Sequence, residues 1–114
     1  MAKSFHTSDE HPQAELKPLR VAALKQGVYE EAKNMVADLA GWTLIEADDQ
    51  ALRLVCTRKG GLLSGESTIR IDVEGPDGIP SATVQVRSQT AGGLVSRDKQ
   101  NVIEFMKPFQ RRVG

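Results

Sequence analysis

The chain has 114 residues, 15 Lys and Arg against 15 Asp and Glu, and one cysteine, Cys56, so a disulfide framework is excluded. Its length supports one hydrophobic core, its zero formal charge argues against a protein that coats nucleic acid with a basic face, and no apolar run approaches the ~20 residues that span a bilayer. The opening MAKSFHTSDEH lacks the apolar stretch of a secretory signal, so a single-domain cytoplasmic protein is expected.

Residues 1–15 hold Met1, Ala2, Phe5 and Ala14 as their apolar groups, without periodicity, and predict a mobile tail ahead of one domain over 16–114. Leu16–Leu24 places Leu19, Val21 and Ala23 on one side, but Pro18 removes a ladder donor, so this is at most an edge strand. From Val28 the period becomes helical. Val28, Ala32, Met35, Val36 and Leu39 form one stripe, Glu30 and Glu31 sit in the first turn, and Gly41 suits the left-handed position that closes a helix over about 28–40.

Four strands are predicted next: Trp42–Ala47, Ala51–Arg58, Ser67–Glu74 and Ala82–Gln89. The last two alternate cleanly, with Ile69, Ile71 and Val73 opposed to Thr68, Arg70, Asp72 and Glu74, and Ala82, Val84 and Val86 opposed to Thr83, Gln85, Arg87 and Gln89. Such alternation means an antiparallel sheet with one buried and one wet face, and GPDGIP between them supplies a reversal. A final helix is expected from Ser96, with Asp98 in its first turn and Val102, Met106, Phe109 and Val113 as its stripe, ending or kinking near Pro108. The order, (β)-α-β-β-β-β-α, predicts an α+β two-layer sandwich: an antiparallel sheet of four to five strands with both helices on one face.

Motifs of known chemistry are incomplete. Gly60 to Gly65 has the GxxxxG spacing of a phosphate loop, but Glu66 stands where Lys must reach the phosphates, and a strand follows instead of a helix. His6, Asp9, Glu10 and His11 are ligand types that zinc accepts, yet a tail offers no fixed geometry, so no metal site and no cofactor are expected. With both histidines in that tail, no nucleophile–base pair is anchored in the core. Cys56 falls on an apolar strand face, and Asp48-Asp49 reads as an exposed turn of ordinary acidity.

The polar sheet face carries more chemistry. A symmetric turn at Gly75–Pro80 sets Arg87 opposite Thr68 and Arg70 opposite Gln85, with Asp72 nearby. The bland reading is a ladder of cross-strand pairs; the sharper one is a guanidinium site for a small anion. Charge is also uneven: one base, Lys33, against six acids over 29–51, and five bases against two acids over 97–112. Such poles steer head-to-tail association or pair within the fold. With only five aromatics and no strand face interleaving them with basic residues, nucleic acid is not an expected partner.

Val84-Gln85-Val86-Arg87-Ser88-Gln89-Thr90, then Gly92-Gly93, Asn101 and Ile103, resembles the carboxyl-terminal hallmark of a widespread bacterial domain-of-unknown-function family that also occurs in plant plastids: Val-Arg-Ser-x-Ser-Arg-x-Gly, then Asp-x-Gly-x-Asn opening the last helix. Leu16-Lys17-Pro18-Leu19-Arg20, the first helix and Gly41-Trp42 resemble the family's Pro-Leu strand, first helix and Gly-Trp junction, so the likeness runs from Leu16 to Phe109. Thr90 stands for the second Ser, Ala91 for the second Arg, and Ser64-Gly65-Glu66 for an acidic pair, as in a divergent member. The resemblance implies the fold and carries no activity.

The expectation for function is a non-catalytic binding or assembly module, with Arg87, Ser88, Thr90, Gly93 and Asn101 as the candidate surface where a strand ends and a helix begins outward. The alternative is a small-anion binder or enzyme using Arg70, Arg87 and Glu66. A protein partner, a second copy of the chain or a small anion are the candidate partners.

Overall fold

The computed structural model describes residues 3–60, 65–90 and 97–113. In chain order these form β1 (Lys3–His6), a 3₁₀ turn (Ala14–Leu16), β2 (Leu19–Val21), α1 (Lys25–Asp38), β3 (Trp42–Asp48), β4 (Arg53–Arg58), β5 (Ser67–Glu74), β6 (Ala82–Thr90) and α2 (Asp98–Val113). The strands make one antiparallel sheet in the order β1-β6-β5-β4-β3, with β2 sharing the outer edge of β6 with β1.

The period-2 pattern decides which face is covered. Leu54 and Cys56 of β4, Ile69, Ile71 and Val73 of β5 and Ala82, Val84 and Val86 of β6 are buried in one cluster with Val28, Tyr29, Ala32, Met35 and Val36 of α1 and Val102, Phe105, Met106 and Phe109 of α2. Both helices therefore lie on one side of the sheet, and fully burying each large side chain contributes roughly 1.5–3 kcal/mol. On the other side Thr68, Arg70, Glu74, Arg87 and Gln89 are exposed. This is the expected α+β two-layer sandwich, with six strands in place of four to five.

The extra strand comes from the segment expected to be a mobile tail. Lys3–His6 pairs with Arg87–Thr90, the Thr7 amide donates to the Val86 carbonyl, and the Val86 amide donates to Thr7 Oγ1. Backbone bonds to an open strand edge hold this segment, and they leave little trace in an apolar pattern. Asp9 forms a two-pronged ion pair with Arg20, and Leu16 is buried.

Other boundaries move. The first helix begins at Lys25, so Glu30 and Glu31 lie beyond its first turn, and it ends at Asp38 with Leu39 as its cap, before the expected end near residue 40. Gly41 takes the expected left-handed conformation, φ +82°, two residues past that cap. The last helix runs through Pro108 to Val113: Phe109 is fully buried and Arg112 pairs with Asp38, which hold the turns that the proline weakens. Ser96, the expected cap, lies outside the described residues. At the β5–β6 hairpin Glu74 pairs with Thr83, because Ser81 belongs to the loop. Gly75 is required there: a Cβ on it would sit 2.5 Å from the Ser81 carbonyl oxygen.

Candidate functional site

The hairpin register decides the geometry of the open face. Arg70 pairs with Arg87, Thr68 with Gln89, and Asp72 with Gln85, two residues away from the expected alignment of Arg87 with Thr68 and Arg70 with Gln85. One row thus crosses five strands: Glu46, Val55, Arg70, Arg87 and His6. Like charges directly opposite one another on adjacent strands repel, since their Cβ atoms are only about 4.5–5.5 Å apart.

The two arginines are held differently. Asp72 accepts from Arg70 Nε at 3.0 Å and from Arg53 Nε at 2.7 Å, one carboxylate shared by two cations. Arg70 is anchored through Nε, and its terminal nitrogens take no part in that bond. Arg87 has no carboxylate partner among the described residues. Two hollows flank the arginine pair. One, of about 200 Å³, is lined by His6, Arg70, Asp72, Gln85, Val86 and Arg87; the other, of about 310 Å³, by Val55, Thr68, Arg70, Arg87 and Gln89. The second contains no acid.

The remaining predicted site residues go elsewhere. Ser88, Thr90 and Asn101 are buried, not on a surface: the alternation that exposes Arg87 turns Ser88 and Thr90 of β6 toward the helices, and Asn101 lies on the covered side of α2. Ser88 Oγ and Thr90 Oγ1 each donate to Asp98 Oδ1 at 2.6 Å, Ser67 Oγ shares a 2.9 Å bond with Thr90, and Asn101 Nδ2 donates to Ser88 Oγ at 3.1 Å. Asp98 is 2% exposed, so the amino end of α2 is pinned inward where an outward-facing one was expected. Glu66 is exposed and takes no part in either group. Gly93, like residues 61–64 of the GxxxxG loop, lies outside the described residues.

The structure adds His6, Gln85, Gln89 and Val55 to the open-face site. His6 was assigned to the tail; its signal was Ser4-Phe5-His6, where one apolar residue between polar ones marks a short edge strand. Of the other residues of ligand type in this segment, Asp9 binds Arg20, and the His11 ring lies 4.8 Å from that of Phe5.

Other reactive types are occupied. Burial pushes the Cys56 thiol up to about 12, so it stays protonated and packs as an apolar group. Asp48 accepts from the Gln50 and Ala51 amides, forming the expected turn. Asp49 departs from ordinary acidity: hydrogen bonds from Tyr29 Oη and Lys33 Nζ, with the Lys33 charge, hold it below the usual carboxylate range. Burial raises Glu104, but hydrogen bonds from Arg58 and Trp42, then the charges of Arg58 and Arg97, outweigh it and lower this carboxyl.

No family model and no curated protein sequence matches the chain. Solved structures do. Norcoclaurine synthase from Thalictrum flavum superposes with a TM-score of 0.57 at 13% identity, covering 100% of this chain and 98% of that one. A Thermus thermophilus protein gives 0.58 at 12% identity, with 97% of each chain covered. The Zhui aromatase/cyclase from Streptomyces sp. R1128 gives 0.57 at 8%, covering 98% of this chain and 86% of that one. These likenesses place the chain in the helix-grip α+β fold, a sheet packed round a long carboxyl-terminal helix. At such identities the likeness extends to the fold alone.

Proposed function

We propose that the protein is a non-catalytic binding module that takes an anionic partner on its open sheet face. One observation carries this reading: Arg70 and Arg87 are set directly opposite each other, and Arg87 has no carboxylate partner among the described residues. A guanidinium pair held in that register gains most from an external anion. Arg53 and Asp72 beside it stiffen the arrangement through Arg70.

The order strand, helix, Gly-Trp junction, sheet and final helix also supports reading the chain as a divergent member of the bacterial and plastid family that it resembles. On that reading the hallmark Ser, second Ser (here Thr90) and Asn tie the last helix to β6, and the hallmark Arg is left for recognition.

The test is binding of poly-L-glutamate at low ionic strength to the wild type, Arg87→Ala and Arg111→Ala. Both variants remove one exposed positive charge. A loss specific to Arg87→Ala supports the open face; equal losses mean that only net charge matters and overturn the reading.

A further inference from the structure

The open-face reading names a charge class and a surface; the hollows beside the arginine pair narrow it. We propose that the hollow lined by Val55, Thr68, Arg70, Arg87 and Gln89 is a binding site for a small organic phosphate, its phosphoryl group clasped between the two guanidinium groups. This inference rests on that reading of the open face.

The two hollows share Arg70 and Arg87 but differ in what completes them. The hollow on the β1 side contains the Asp72 carboxylate, which repels an anion. The one toward the β4 side adds only neutral groups: the Thr68 hydroxyl and Gln89 amide as hydrogen-bond donors, and Val55 as an apolar wall. An oxyanion is therefore favoured in the second.

Arg70 is preorganised for this task. Its Nε is fixed on Asp72 Oδ2 at 3.0 Å, so the side chain gives up less freedom when its terminal nitrogens bind a ligand. Arg87 faces it in register, and both arginines line the same hollow. A tetrahedral dianion offers oxygens to both forks and offsets their mutual repulsion, which no described carboxylate does for Arg87. The volume, about 310 Å³, exceeds that of a bare phosphate, so room remains over Val55 for an organic body.

The experiment is a titration of the ¹⁵N-labelled full chain with inorganic phosphate and with phenyl phosphate at constant ionic strength, followed by amide and arginine Nε–Hε shifts. The expected result is saturable shifts at Thr68, Arg70, Arg87 and Gln89, tighter for phenyl phosphate, weakened at least tenfold in Arg87→Ala and less in Arg87→Lys. The variants lie on an exposed position, so their spectra elsewhere should be those of the wild type. Linear shifts without saturation, or shifts centred on His6 and Gln85, overturn the inference. If poly-L-glutamate binding depends on Arg87 while neither phosphate saturates, the small-ligand site falls and the open-face reading stands; if neither binds, both fall.

Discussion

Ser88 in β6 donates its hydroxyl to Asp98 in the first turn of α2 across 2.6 Å, both side chains at 2% exposure or less. The bond fastens the start of the last helix to the strand whose alternate residue, Arg87, faces the opposite side. The same strand thus anchors the core helix and presents the candidate site.

Asp98→Ala removes the acceptor of both Ser88 and Thr90 and leaves two buried hydroxyls to find new partners. Each unmet buried group costs about 1–3 kcal/mol, so denaturant unfolding should show a loss of roughly 2–4 kcal/mol for this variant. Asn101→Ala should cost less, because the Asn101 Oδ1 atom has no partner among the described residues to lose. A reversed order would mean that Asp98 is not the centre of the network.

The amino-terminal segment gives a second test. Deleting residues 1–8 removes the β1 ladder on β6 and the Thr7–Val86 bonds, at about 2 kcal/mol or more for several hydrogen bonds of roughly 1 kcal/mol each. The melting temperature should fall by about 8 °C or more. A truncated chain melting with the full one would show that β1 adds nothing.

How much of this was legible in the sequence depended on how each element is held. Strands β5 and β6 were readable because Ile69, Ile71, Val84 and Val86 alternate with polar residues, and α1 because Val28, Ala32, Met35 and Val36 recur at helical spacing. Strand β1 was not, since edge pairing through backbone groups needs no apolar run. The Arg70–Arg87 register escaped for a different reason: a two-residue change in hairpin alignment preserves every inward and outward assignment, so the pattern cannot distinguish the alternatives. In the structure Glu74 pairs with Thr83, with Gly75 packed close to the Ser81 carbonyl in the loop between them. Ser88, Thr90 and Asn101 read as a surface because a strand ends and a helix begins there, yet the strand's own alternation already points Ser88 and Thr90 inward.

Glu104 couples stability to pH. Burial alone would raise its folded-state value, but hydrogen bonds from Arg58 and Trp42 outweigh burial and lower it. A lowered carboxyl contributes stability that is present above the unfolded value of about 4.3 and lost as pH falls through the lower folded value. Glu104→Gln should therefore cost about 2 kcal/mol near pH 7, the scale of hydrogen bonds to a charged group, and progressively less toward pH 3. A difference independent of pH, read from urea unfolding, would exclude this linkage.

Ile71→Asp tests the covered face. Ile71 is fully buried at the centre of β5, and an unpaired charge there costs several kcal/mol, comparable to the whole stability of a small domain. Far-ultraviolet circular dichroism should show loss of the fold at 25 °C. A folded variant would mean that this face is open to water.

The binding role of the open sheet is tested most directly by amide-shift mapping of the full chain with poly-L-glutamate, comparing wild type with Arg87→Ala and Arg111→Ala. The account predicts shifts confined to Thr68, Arg70, Gln85, Arg87 and Gln89, abolished by the first substitution and retained with the second. Shifts on the outer surfaces of α1 and α2, or equal loss in both variants, would contradict it.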